Sequence, residues 1–341
     1  MGKTAGQKLK LLTLYQILHE ETDEDHPMTI RRMIAGLAAR GIAAERKSVS
    51  EDLKALADFG AEILERDGPR GYYYLASRTF DMTELQLLAD AVASSQFLTE
   101  KKSQQLIEKL MTLTSRPAAG QLTRQIYQLN GRKQGNERIL YNVDAVSRAI
   151  TETREVSFRY FEYTADKARQ YRHDGARYTV IPYALCWDNE NYYMIADYPR
   201  YGGISNFRVD RMEDIRPGDV RPPDERRQQF NIETYTQGRF SMFGGDRVLA
   251  ALEFRDSLAG AVLDRFGRSA AMEAADRPGW FRLWTDVVVS PPFWGWLFQF
   301  GDEARVASPP ELVDAAGAEA RRIAALYEKH NPTNENKEKE A

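Results

Sequence analysis

Cysteine is all but missing from this 341-residue chain. Cys186 stands alone, which excludes an internal disulfide framework and any cysteine-cluster zinc site. Histidine is scarce too: His19, His26, His173 and His330 lie far apart and show no metal-ligand spacing, so no metal is expected. No apolar run approaches the roughly 18 residues that span a bilayer. An excess of charge of one sign is also lacking, since 47 Lys and Arg face 50 Asp and Glu for a net charge of −3. That balance excludes a protein that coats nucleic acid by bulk electrostatics, though not one that reads it locally. Phosphate-cradling glycine loops of the P-loop or dinucleotide type are absent. Met1-Gly2-Lys3 turns acidic at Glu20-Glu21 without a cleavage-type site, and Gly6 breaks the myristoylation pattern; neither a signal peptide nor a lipid anchor is expected. Cys186, beside aromatic strands, reads as an inert thiol. The absences together predict a reducing, cytoplasmic, non-enzymatic chain without a cofactor.

What is present is a chain long enough for two or three domains. Leu11, Leu14, Tyr15 and Leu18 recur at helical spacing over residues 8–20. Thr29 fits the N-cap of a second helix carrying Ile30, Met33, Ile34 and Leu37, ended near Gly41. A third helix follows with Val49, Leu53 and Leu56 on one face. Helices joined by a tight glycine-containing turn predict a helix-turn-helix, the third helix entering the major groove. Ala61–Leu64, a turn at Asp67–Gly71, and Tyr72–Leu75 predict a hairpin, the wing of such a domain. Candidate DNA contacts are Thr29, Arg31, Arg46, Lys47, Ser48, Ser50 and Lys54 from the helices, and Arg66 and Arg70 from the wing. The alternative for such faces is plain solvation; for Asp52 it is an intrahelical or core-edge salt bridge, and that is preferred. Farther on, Thr83 with Gln86 fits a capping box, and Thr99 opens another helix with Leu106, Ile107, Leu110 and Met111 buried. Residues 115–138 read as a polar connector.

Residues 143–217 are strand-rich and aromatic. Val156, Phe158 and Tyr160 alternate with polar neighbours, and Tyr178–Leu185, Tyr192–Ala196 and Ile204–Val209 read as further strands. Residues 164–176 read as a polar loop with Lys167, Arg169, Arg172 and His173, the histidine solvated. Short strands this closely spaced predict a small barrel or strongly bent sheet. Past Pro222-Pro223, strands at Val248–Phe254, Phe281–Val288 and Ala304–Ala307 alternate with helices in a βαββαβ-like order, and a last helix follows from Pro310 to Glu328. The Phe293-Trp294-Gly295-Trp296 run is either an interface anchor or ordinary core.

The run Pro182-Tyr183-Ala184-Leu185, then Trp187, Tyr192-Tyr193-Met194 and Phe207-Arg208-Val209-Asp210-Arg211 resembles the WYL domain, with Tyr-Tyr-Met where that family has a Trp-Tyr-Leu type triplet. Asp264–Gly267 and Ser290–Leu297 resemble the C-terminal extension that often follows it. The resemblance implies a WYL-domain transcriptional regulator: an α+β multi-domain chain with a winged helix-turn-helix (1–78), a helical linker (79–142), an Sm/SH3-like β-barrel sensing a ligand (143–220), a ferredoxin-like, dimer-forming extension (221–332) and a disordered tail (333–341). It implies double-stranded operator DNA and a nucleotide or oligonucleotide effector as partners, and a homodimer. Arg208 and Arg211 match the closing motif and become candidate ligand contacts, since paired guanidinium groups beside aromatic faces suit a phosphate and a stacked base; Tyr160, Tyr178 and Tyr183 join them. For the tyrosines the alternative is core packing, for Arg211 an ion pair with Asp210 or Asp214, and for Arg208 solvation. A second function stays open: a nucleotide-binding accessory protein acting through protein partners without reading DNA sequence.

Overall fold

The structure, a computed structural model, describes residues 3–66, 71–125, 138–221 and 225–328. Arg70 with the rest of the hairpin tip, Pro222-Pro223 and the tail 333–341 lie outside the described residues. The chain divides into two compact units, Met1–Glu137 and Arg138–Ala341.

The first unit opens with α1 (Lys3–Glu21), β1 (Met28–Thr29), α2 (Ile30–Ala39), α3 (Arg46–Asp58), β2 (Ile63–Glu65) and β3 (Tyr72–Leu75). Leu14, Ile17 and Leu18 of α1, Met33 and Leu37 of α2, and Val49, Leu53 and Leu56 of α3 share one buried core with Leu75. The helical spacing of these residues puts each on the inner face, which is why three short helices hold together. Gly41, at φ +76, takes the left-handed turn after α2 that a side chain would resist. Two-residue β1, not foreseen, pairs with β3 through Met28–Tyr73 and Thr29–Tyr72 and makes a sheet of order β1-β3-β2.

Three more helices follow: α4 (Met82–Ser94), α5 (Glu100–Met111) and α6 (Arg116–Gln125). The capping box of α4 is built by Asp81 and Glu84, two residues before the expected Thr83 and Gln86, because Asp81 accepts from the Glu84 N–H at 2.8 Å. Thr99 caps α5 as expected. The start of the expected connector is helix α6, whose Ala118 and Leu122 are buried.

The second unit begins with α7 (Ile139–Thr151), a helix the sequence reading did not separate from the strands behind it. Then come β4 (Arg154–Tyr163), β5 (Arg169–Tyr171), β6 (Tyr178–Asp188), β7 (Asn191–Tyr198), β8 (Gly203–Arg208) and β9 (Met212–Val220). The sheet runs β5-β4-β6-β7-β8, with β9 also on β4. Register shifts in β4 opposite β9 and between Pro182 and Ala184 in β6 bend it sharply. Of the two expectations, small barrel or strongly bent sheet, the structure has the bent sheet, a curled half-barrel: among the described residues no ladder joins β8 to β9. Its concave face buries Val156, Phe158, Tyr160, Tyr178, Val180, Met194 and Phe207 against Val146 and Ala149 of α7.

The chain continues through α8 (Glu225–Gln229) and α9 (Ile232–Thr236) into β10 (Arg247–Arg255), α10 (Ala259–Phe266), β11 (Ala271–Ala274), β12 (Trp280–Val288), α11 (Pro291–Phe298), β13 (Ala304–Ser308) and α12 (Pro310–Glu328). The four strands form an antiparallel sheet of order β11-β12-β10-β13. β11 is the strand absent from the sequence reading; its AMEA run is too short and too exposed to show alternation. Phe293, Trp294 and Leu297 lie in the core of this sheet with Phe254 and Leu283, so of the two readings of that aromatic run ordinary core holds for them. No helix among the described residues is long and apolar enough to cross a membrane.

Candidate functional site

The outer face of α3 carries the first group of candidates. Burial of Val49, Leu53 and Leu56 turns Arg46, Lys47 and Lys54 to solvent, where all three are exposed. The Glu45 side chain makes no capping bond, so it leaves the first-turn N–H groups of α3 unsatisfied by the N-cap. Ser50 is half-buried. Ser48 is differently engaged: it accepts a short hydrogen bond from the Lys10 ammonium of α1. Lys10 is 6% exposed and also pairs with Asp52 at 2.8 Å, the core-edge form of the ion pair preferred for that aspartate. Thr29 uses its hydroxyl as the N-cap of α2, accepting from the Arg32 N–H at 3.4 Å. Arg31 is exposed on α2. Exposed Arg66 closes the hairpin, its backbone N–H donating to the Tyr72 carbonyl at 2.8 Å.

The second group falls on two faces of the half-barrel. Tyr160 and Tyr178 are 7% and 4% exposed on the concave face, centroids 5.9 Å apart, with Phe158 stacked on Tyr178 at 5.5 Å. The Tyr160 hydroxyl accepts from the Arg208 N–H at 3.2 Å. Burial pushes both phenols up in pKa, so each is protonated at neutral pH. Tyr183 sits at the β6 bulge and packs on Phe230, whose cluster with Tyr193, Ile195 and Met242 covers the convex face. It does not join the other two tyrosines.

The ion pair with Asp210 falls to Arg208 and not to Arg211. Arg208 makes the ion pair, holding Asp210 at 2.9 Å and Asn191 at 2.6 Å. Burial opposes its charge, but the hydrogen bond and charge of Asp210 outweigh this and raise its pKa. Arg211 makes no ion pair among the described residues, and its Nε is buried without a hydrogen-bond partner. Of the two, Arg211 is the guanidinium not committed to a carboxylate among the described residues.

Four residues outside the candidate list extend this site. Arg172, which pairs with Glu162 at 2.6 Å, lies over the Tyr160 ring at 5.9 Å. The His173 ring meets the Tyr178 ring at 5.3 Å. Tyr198 touches Tyr178 at 5.4 Å and Tyr201 at 5.0 Å, and Tyr201 is 65% exposed. The only sequence signal was basic residues in a loop, which fits solvation equally well. Among the described residues, no cluster of His, Cys, Asp or Glu could hold a metal ion.

No curated protein matches the chain. Among solved structures it is similar to proteasome accessory factor B/C (PafBC) of Arthrobacter aurescens, with 20% identity and a TM-score of 0.29 over 92% of this chain and 47% of that one. It is also similar to a CRISPR Cas-related protein, with 12% identity and a TM-score of 0.37 over 97% and 87% of the two chains. The chain thus spans about half the length of the first of these. The WYL domain family model matches residues 141–217, from α7 through most of β9, and the WCX domain model matches residues 246–324, the four-stranded sheet and its helices. The chain thus carries a WYL domain followed by a WCX domain.

Proposed function

We propose that this chain is a dimeric, ligand-responsive, DNA-binding transcriptional regulator. The reading takes α1–α3 with the β2–β3 hairpin as a winged helix-turn-helix, and the half-barrel as its sensor for a nucleotide or nucleic-acid fragment. The single observation behind it is α3: a helix locked on its inner face by Val49, Leu53 and Leu56 that exposes Arg46, Lys47 and Lys54, with Glu51 and Asp58 beside them, in a chain that also carries a WYL domain. The antiparallel β11-β12-β10-β13 order, with each β-α-β pair split by another strand, supports a ferredoxin-like extension. Two copies would set two recognition helices on half-sites about one helical turn apart. Ligand would favour one dimer geometry over another and so change DNA affinity. Fluorescence anisotropy on duplex from upstream of its own gene tests this. Specific, salt-dependent binding that changes with ligand is the expected result; equal affinity for scrambled duplex overturns the regulator reading and favours the accessory protein.

A further inference from the structure

The half-barrel tyrosines present a difficulty for any ligand, since Tyr160 and Tyr178 are almost wholly buried and no ring can stack on them as they stand. Most of what covers them is fixed core: Phe158, Phe207 and Tyr198 belong to β4, β8 and β7. The remainder is a turn, Arg172–Gly175, between three-residue β5 and β6. Its outer surface faces solvent, since Arg172, His173 and Asp174 are all exposed. Inward, the Arg172 guanidinium lies over the Tyr160 ring at 5.9 Å, and the His173 ring meets the Tyr178 ring at a 48° tilt. Its backbone is costly: His173 and Asp174 take φ values of 52° and 53°, ahead of Gly175 at 80°. Left-handed geometry is disfavoured for residues with a Cβ, and here two such residues follow one another. Strain of that kind is relieved when the turn opens.

The rings beside the turn form a stair from core to solvent. Tyr178 meets Tyr198, and Tyr198 meets the exposed Tyr201 in the neighbouring turn with exposed Arg200. We infer that Arg172–Gly175 is a lid occupying the ligand's place, and that an anion bearing a flat ring, such as a nucleotide, lands on Tyr201 and displaces His173 from Tyr178. The histidine ring is then a stand-in for the incoming base. The ligand's phosphate competes with Glu162 for the Arg172 guanidinium, which the ion pair already holds at the rim. This inference rests on reading the half-barrel as the sensor and adds what gates it.

The test uses the full chain and a short, mixed-sequence, fluorescently labelled single-stranded oligodeoxynucleotide. Affinity is read by anisotropy, and tyrosine accessibility by tetranitromethane nitration mapped by mass spectrometry. His173→Gly removes the covering ring and suits the positive φ, so the turn is kept. It is expected to bind the probe about three- to tenfold more tightly, and to nitrate faster at Tyr178 when free. Tyr201→Ala, at an exposed position, is expected to bind roughly tenfold more weakly. Bound probe should protect Tyr178 and Tyr201 in both the wild type and His173→Gly. If the probe protects Tyr201 while His173→Gly changes neither affinity nor Tyr178 nitration, the lid is wrong and the sensor reading survives. If the probe protects none of these tyrosines, the sensor reading fails and the lid falls with it.

Discussion

Arg208 grips Asp210, two residues along the chain, through paired hydrogen bonds of 3.0 Å from Nε and 2.9 Å from Nη2. The Asp210 side chain is only 2% exposed, so the guanidinium supplies paired hydrogen bonds to a carboxylate taken out of water. Removing one partner of such a pair takes a strong interaction from a buried charge. Arg208→Ala is therefore expected to lower stability by about 3 kcal/mol in urea denaturation. Arg211→Ala removes a group whose Nε is already unpartnered and is expected to shift stability by less than about 0.5 kcal/mol. The two variants should thus part: Arg208→Ala acts on folding, Arg211→Ala on the effector response. Equal stability for Arg208→Ala and wild type would deny the structural role.

A similar division applies to α3. Arg46→Ala and Lys47→Ala change exposed side chains, so far-UV circular dichroism and melting temperature should hold. Binding to specific duplex is expected to weaken by about 1–3 kcal/mol for each that touches a base. Lys54→Ala, if it meets a phosphate, should weaken all sequences alike and flatten the salt dependence by about one unit. Ser48→Ala should behave differently, because its hydroxyl serves Lys10 inside the unit. Its effect is expected in the denaturation midpoint. Unchanged DNA affinity in both Arg46→Ala and Lys47→Ala would remove α3 from the interface.

The pattern of what was legible in the sequence has a physical cause. Periodicity reports which face of an element is buried, and so Leu53, Val49, Val156 and Phe158 all lie where spacing predicts them. It reports nothing about which partner a charged side chain selects across the fold. Asp210 could have paired with Arg208 or Arg211, and a two-residue spacing along the backbone does not decide between them. Short strands fail for the same reason as short helices: β1 has two residues and β11 four, too few to show alternation. The turn at His173-Asp174-Gly175 carries turn-type residues, and what the sequence does not disclose is that it meets Tyr178.

Glu253 carries a pH signature. It lies on β10, 2% exposed, between Arg282 of β12 at 2.8 Å and Arg305 of β13 at 2.6 Å. Burial alone would raise its pKa, but hydrogen bonds and charge from both arginines outweigh burial and hold it below the ordinary glutamate value of 4.5. A depressed folded pKa stabilises the fold above the unfolded pKa, and the contribution is lost as pH falls through the folded value. Acid should therefore remove this contribution only below about 4.5. Glu253→Gln is expected to melt lower than wild type at neutral pH and to close that gap in acid, as followed by thermal denaturation across the range. A gap that stays constant with pH would show that the carboxylate's charge is not the source.

The last prediction concerns residues 230–245, which join the two sheets of the second unit. Phe240 is buried in the core of the four-stranded sheet, while Met242, two residues on, is buried against Tyr193 and Ile195 on the convex face of the half-barrel. Asn206 of β8 fixes that crossing by donating to the Met242 carbonyl at 2.7 Å. The segment reaches β12 at Gly238, whose carbonyl accepts from the Val288 N–H at 2.8 Å. Gly238 has φ +72, and a Cβ there would stand 2.2 Å from the Asp286 carbonyl oxygen, so only glycine allows the approach. Gly238→Ala must push the strap off β12 or strain it in place, at an expected cost of about 2–4 kcal/mol. Because the strap feeds both cores, scanning calorimetry should show the C-terminal sheet unfolding apart from the half-barrel in the variant. Met242→Ala should loosen the half-barrel side alone. A Gly238→Ala protein with a single, unshifted transition would mean that the strap bears no load between the two sheets, and that any signal between them travels by another route.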